Sequence, residues 1–247
     1  MSARSQRWLG LAAAAALLAA AFALFAQQDA WAAALSRLFP QQPTVVFERT
    51  SLLTLALQHA TIVGASMGII LAVGLPLGVA LTRPGGRPFL ALASSLLAAG
   101  QALPPVAVLA LALPFFGFGL KPTLIALVAY GLLPVTRNTV AGLQGVPIDL
   151  KEAGRAMGMG PGALFWRLEA PLALPTVLAG VRISAIYTIG TATVAPIIGA
   201  GGLGVPIIAG LAVGNLALVL QGALPVALLA VLTDFLLARL VALAPDT

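Results

Sequence analysis

Three places in this sequence bear on what chemistry its residue types and spacings could do. Gly64-Ala65-Ser66-Met67-Gly68 has the G-x-S-x-G spacing of a nucleophile elbow, with His59 nearby. An elbow belongs on a strand-turn-helix, whereas this pentapeptide lies inside a continuous apolar run. On a helix, His59 and Ser66 share a face but stand about 10 Å apart along the axis, beyond hydrogen-bond reach. The expectation is instead a small-xxx-small surface, with Gly64 and Gly68 admitting another helix. Gly199-Ala200-Gly201-Gly202-Leu203-Gly204 matches G-x-G-x-x-G, but a dinucleotide site needs a strand before it and an acid about 20 residues later. The next acid is Asp234. The glycines are therefore expected to make a tight outer-side turn or a re-entrant dip. The third place is a lack: Lys121 and Lys151 each follow a leucine, so the sequence has no Gly-Lys pair and no phosphate-binding loop of the Walker type. Cysteine is absent and His59 is the single histidine, which removes thiol chemistry and multi-histidine metal centres. No catalytic residue, no metal site and no cofactor bound by this chain are expected.

The informative polar stretch runs from Pro147 to Pro171. Pro147 suits a first helical turn, and Asp149 follows where the helix dipole favours an acid. Gly158, backed by Gly160, Pro161 and Gly162, ends that helix abruptly. Leu150, Ala153 and Met157 recur at helical spacing and could fill a groove on a partner. The residues alone leave a docking peg and an ordinary amphipathic connector equally open.

The elements that must position this loop are membrane spans. Of all residues, 60% are hydrophobic and 8% charged, too few charges to cover a soluble fold. The net charge of +6 is scattered singly with no basic, aromatic-studded run, so nucleic acid is not an expected partner. A span needs about 20 mostly apolar residues. Six candidates result, at about 8–26, 52–82, 89–114, 122–136, 172–198 and 216–241. Pro76 with Gly78 is expected to kink the second, and Pro104-Pro105 to interrupt the third. Orientation follows the basic residues. Arg4, Arg7, Arg83, Arg87, Arg137, Lys151, Arg155, Arg167 and Arg239 fall on one side, against Arg37, Arg49 and Lys121 on the other. That bias places both termini and the Pro147–Pro171 stretch inside. The first span resembles a signal peptide in its flanking arginines, but its apolar run is long and an uncleaved anchor is expected. The chain then reads as one transmembrane unit, 1–247. It comprises an anchor helix and outer loop (1–50), a core (51–241), and within that an inner loop (137–171).

Polar groups inside spans are costly and call for functional hypotheses. His59, Gln101, Tyr130, Asn138, Tyr187, Thr188 and Thr191 are the candidates for lining a path, with interhelical hydrogen bonding the plainer alternative for each. Arg182 is read as structural, snorkelling to the inner interface. Asp234 has no partner that the sequence names. A self-sufficient secondary transporter would call for an inverted repeat and intramembrane carboxylates. Asp234 is the single acid expected within a span, and no repeat is evident.

The Pro147–Pro171 stretch resembles the "EAA" loop of type I ABC importer permeases, whose pattern is E-A-A-x3-G-x9-I-x-L-P. Glu152, Ala153, Gly158 and Pro171 stand at the matching spacings. Gly154, Leu168 and Ala170 depart from it. Gln58-His59, Gly74-Leu75-Pro76-Leu77-Gly78 with Thr82-Arg83, Pro114-Phe115-Phe116-Gly117, Arg137-Asn138-Thr139 and Gly190-Thr191-Ala192-Thr193 through Gly204 extend the likeness over about 50–240. Together they resemble the osmoprotectant branch, importers of glycine betaine, choline and carnitine. The resemblance implies an all-α membrane permease, N-in and C-in, in a bacterial or archaeal cytoplasmic membrane. It also implies a cytoplasmic coupling helix between spans four and five, with Leu150, Glu152, Ala153, Gly154, Met157, Gly158 and Pro171 in the coupling site. ABC ATPase subunits carrying ATP and magnesium, an external substrate-binding protein and a second permease copy are the implied partners. With aromatics at 6% and only Tyr130 and Tyr187 mid-span with a polar handle, solute selection is expected mainly in the binding protein. Another small solute, such as an amino acid, is the alternative cargo.

Overall fold

Continuous Ala- and Leu-rich runs satisfy every backbone polar group within the helix, which is what lipid demands of a spanning segment. The computed structural model describes residues 3–241, with side chains from Trp8 onward, and all regular structure among them is helical. The side chains of Arg4 and Arg7, counted above toward the inner side, lie outside the described residues, as does 242–247.

The helices are α1 (Ala3–Phe25), α2 (Gln28–Leu38), α3 (Leu52–Thr82), α4 (Leu90–Ala102), α5 (Pro105–Phe116) and α6 (Leu120–Gln144). After them come α7 (Ile148–Ala156), α8 (Pro161–Leu164), α9 (Ala170–Thr191), α10 (Gly204–Val213) and α11 (Leu216–Val241). A π-helical turn, Phe165–Glu169, joins α8 to α9, and a 3-10 segment, Ala192–Ile198, follows α9. Five helices are long and apolar enough to cross a membrane, and α4 and α5 form a pair bent by 97°. Two contacts make that pair a full crossing. Its start follows Arg83, which bonds Glu169 at the foot of α9, while Gly119 just beyond its end donates to the Ile198 carbonyl past the head of α9 (2.7 Å). Six crossings result. The start of α1 lies beside the end of α11, where a Cβ on Gly10 would stand 3.3 Å from the Arg239 side chain.

Several expectations shift. The segment 27–50 is not all loop, because α2 forms within it, with Asp29 in its first turn, Arg37 in its last and Leu35 buried. The third span breaks at Pro104-Pro105, as expected. Pro104 and Pro105 lack the N–H groups needed to carry a helix through, and Pro105 starts a new one. The fourth span does not stop at Thr136 but reaches Gln144, because its polar residues turn back on their own helix. Asn138 Nδ2 donates to the Pro134 carbonyl (2.8 Å) and Thr139 Oγ1 to that of Val135 (2.8 Å). Helix α3 runs through Pro76 to Thr82.

The bundle centre is α6, gripped between α3 and α9. Small residues allow the approach. A Cβ on Gly78 would stand 2.5 Å from Thr139 Cβ, and one on Gly180 2.5 Å from Asn138 Cβ. The expected packing pair Gly64 and Gly68 plays no such part, since nothing lies within 4 Å of a Cβ on either. Arg182 does not snorkel. It holds Asp234 in a two-pronged ion pair (2.8–3.0 Å) that ties α9 to α11.

Candidate functional site

Polar residues gather at three levels of the bundle. At the foot of α9 stands the short helix α7. Asp149 lies in its first turn, and Gly158, at φ 82°, reverses the chain after it. The Met157 N–H donates to the Ala153 carbonyl and the Met159 N–H to that of Gly154 (both 3.0 Å), which closes the helix end. Gly154, the residue that departs from the E-A-A pattern, is buried. A Cβ there would stand 2.8 Å from Leu164 Cδ1, so the glycine lets α7 lie flat on α8. Leu150, Ala153 and Met157 are exposed along the same helix, Met157 at 72%, while Leu150 also borders a cavity against Leu172 and Thr176. Glu152 and Gly158 are exposed beside them, while Pro171 sits in the first turn of α9.

Glu169 anchors this arrangement, and the sequence reading passed over it. Its carboxylate is almost fully buried at the π turn. It accepts from Arg83 Nη2 at the end of α3 (2.7 Å) and lies 3.8 Å from Lys151 Nζ on α7. Lys151 also donates to the Leu143 carbonyl (2.9 Å), and the Arg83 guanidinium rests over the Phe165 ring. One carboxylate thus joins α3, α7 and α9. Buried charges persist when paired and hydrogen-bonded, and removing one partner of such a pair costs about 3–5 kcal/mol. A cavity of about 550 Å³ opens beside the cluster, walled by Arg83, Arg87, Lys151 and Glu169. A π turn is itself a signal of function, but one that hydrophobic periodicity does not reveal.

At mid-span the structure sorts the expected path residues. Gln101, Asn138 and Tyr187 face one cavity of about 320 Å³, together with Arg137. Gln101 Nε2 donates to the Tyr130 carbonyl (2.6 Å), which aligns α4 with α6. The Tyr130 hydroxyl has no partner among the described residues. His59 and Thr188 are buried and line none of these cavities. His59 Nε2 donates to the Ile189 carbonyl (3.1 Å), and Thr188 Oγ1 turns back to that of Ser184 (2.8 Å). Thr191 is half-buried at the end of α9. Ser66 donates to the Ile62 carbonyl, away from His59.

At the head of the bundle the Gly199–Gly204 turn closes on α3. Gly201 and Gly202 have φ of 81° and 92°, and the Gly202 N–H donates to Gln58 Oε1 (3.1 Å). The turn leads into α10 and then α11. Asn215 accepts from the N–H groups of Ala217 and Leu218 at the start of α11, and its Nδ2 donates to the Thr44 carbonyl. Gln221 Oε1 accepts from the Phe47 N–H (2.7 Å). Gln58 carried part of the family likeness, but the sequence did not single out Asn215 and Gln221, because each serves a backbone group brought close only by folding.

Residues 74–243 match the family described as "Binding-protein-dependent transport system inner membrane component". The carnitine transport permease protein OpuCB of Listeria monocytogenes is 42% identical over 191 residues, covering 77% of this chain and 86% of that protein. The choline transport system permease protein OpuBB of Bacillus subtilis is 40% identical, with 73% and 82% covered. The osmoprotectant import permease protein OsmW of Salmonella typhimurium is 37% identical, with 76% and 89% covered. Among solved structures, an inward-facing MetNI methionine ABC transporter chain superposes with a TM-score of 0.67 at 24% identity, covering 77% of this chain and 94% of that one. That likeness concerns the fold.

Proposed function

The chain belongs to the binding-protein-dependent transport system inner membrane component family, and on that premise we propose that it imports small osmoprotectants on ATP hydrolysed by a partner. Glycine betaine, choline and carnitine are the proposed solutes, because the relatives at about 40% identity carry those names. The proposed mechanism is alternating access in the cytoplasmic membrane of a bacterium or archaeon. An external binding protein delivers the solute at the Gly199–Gly204 end, and ATPase subunits engage α7 at the other. A second permease copy completes the pathway, meeting this one across faces left open here, such as that of Gly64 and Gly68.

The observation that carries the coupling role is the build of α7. It leaves Leu150, Ala153 and Met157 exposed while Gly154, packed on Leu164, and Lys151, beside Glu169, fasten it to the bundle. Apolar side chains held outward on a fixed mount suit a groove in a partner protein. Glu169 then carries the partner's movement to α3 and α9, because any displacement of α7 pulls on one shared carboxylate. Since the sequence holds no Gly-Lys pair, nucleotide chemistry falls to the ATPase.

The test is reconstitution of the chain with its ATPase and binding protein in liposomes, with labelled glycine betaine, choline and carnitine outside. Uptake should require ATP and all components, and Met157→Asp should abolish co-purification with the ATPase. Gradient-driven uptake by the chain alone would sink this reading.

A further inference from the structure

Arg137 lies within α6, seven residues before its end at Gln144, or about 10 Å in along the axis. No acidic side chain among the described residues pairs with it. A charge at that depth is tolerated where it faces a wet cavity or meets a partner, and its partner is the question to ask. Arg137 borders two cavities, neither with an acid in its lining: one of about 220 Å³ with Ser94, Thr136 and Gln144, and a larger one whose polar lining is Arg137, Gln101, Asn138 and Tyr187. We propose that the larger cavity is a transit site for a small zwitterion, with Arg137 receiving the carboxylate. Tyr187, Gln101 and Asn138 surround the cationic end. The proposal rests on reading the chain as a small-solute permease and names the part of it that meets the solute.

Helix direction brings the groups together. A Cα–Cβ bond tilts toward the N-terminus of its helix. Helices α6 and α9 run antiparallel, so Arg137 leans toward mid-span while Tyr187 on α9 leans down to meet it. Tyr187 is 51% exposed, leaving its ring face open to a cation. Gln101 and Asn138 have already given amide hydrogens to the carbonyls of Tyr130 and Pro134, which leaves their oxygens for the cationic end. The cavity, at about 320 Å³, falls at the small end of the range for small-molecule sites. With a fixed positive charge and no acid in its lining, it favours a cation that carries its own carboxylate. Choline lacks one.

The absence of cysteine from the sequence makes the test clean. Ile183→Cys places a single thiol on the cavity wall, and Ala141→Cys serves if that variant fails to assemble. In the full complex with ATPase and binding protein, in lipid nanodiscs, the rate of maleimide labelling is read with and without glycine betaine. Glycine betaine at about four times its dissociation constant should slow labelling about fivefold, and choline should leave it within twofold. Adding Arg137→Gln should remove the protection. Arg137→Lys, which keeps the charge but loses the two-pronged geometry, should retain part of it. Equal protection with and without Arg137, equal protection by choline, or none at all would overturn the assignment. Uptake of labelled glycine betaine by the wild-type complex separates the two readings. Uptake without protection removes the cavity assignment alone, whereas no uptake removes the solute.

Discussion

Two arginines lie well inside the spans of this molecule, and the regions around them are built in opposite ways. Arg182 is neutralised by both oxygens of Asp234 on the next span, and the pair joins α9 to α11. Arg137 borders hollows with no acid in their walls. Both bear the cost of a charge in lipid, but only the first offsets it within the chain. The difference separates a charge that holds the fold together from one held ready for something the fold does not contain. Exposure alone misses this, since the Arg182 and Asp234 side chains are each about one-third exposed.

The comparison breaks most sharply at Asp234. Asp234→Ala leaves Arg182 unpaired in the bilayer, and we expect a loss of about 3 kcal/mol, the scale of an arginine at mid-membrane. It should appear as a lower melting temperature in detergent and reduced membrane abundance, and Arg182→Ala with Asp234→Ala should restore most of it. If the double variant is no better than the single, the pair is not what holds α9 to α11.

Gly180→Ala should follow in size. Its new methyl group would meet Asn138 Cβ and the Pro134 carbonyl, and overpacking of this kind costs about 1–3 kcal/mol. It forces α6 from α9 between the two arginines, so melting temperature and cavity labelling should both change. A stability loss with unaltered labelling would show the two regions to be independent.

Glu169→Gln keeps the shape of the inner anchor but withdraws its charge from Arg83 and Lys151. About tenfold slower ATP-driven uptake is expected, at 1.4 kcal/mol per tenfold, with solute affinity unchanged. Reduced affinity at full rate would assign Glu169 to the path instead.

Arg137→Gln should alter melting temperature least among the charge changes, within the roughly 0.5 kcal/mol typical of sites free of special interactions. A loss as large as that of Asp234→Ala would mean that Arg137 is structural after all. Gly68→Ala is the smallest case, because among the described residues nothing lies within 4 Å of a Cβ there. Its melting temperature should be unmoved for the isolated chain, and any loss confined to the assembled transporter would place a partner on that face.

Much of the fold was legible because lipid imposes a coarse rule. Apolar runs of sufficient length, interrupted by arginines, mark spans without knowledge of contacts, and five of the six expected spans coincide with long helices. The third broke at Pro104-Pro105, as the two prolines implied, though the 97° angle did not follow from them. The fourth was cut short because Arg137, Asn138 and Thr139 look like loop, and only the bonds of Asn138 and Thr139 back to their own helix and the place of all three in the bundle make them helix. The short helix α7 was visible in its caps and spacing. Glu169 was not, because a lone acid before a proline carries no signal until Arg83, 86 residues earlier, comes beside it.

Composition and periodicity by themselves determined that this chain lives in lipid, where its spans lie, and that it brings no nucleotide-binding loop of the Walker type. Those properties follow from the solvation of single residues and short runs. Tertiary structure decided which charges are satisfied. The partnership of Arg182 with Asp234, the burial of Glu169 and the solitude of Arg137 among the described residues are each relations between helices distant in sequence. Electrostatic energy inside a membrane depends on distances of a few ångströms, and no pattern along one chain contains them.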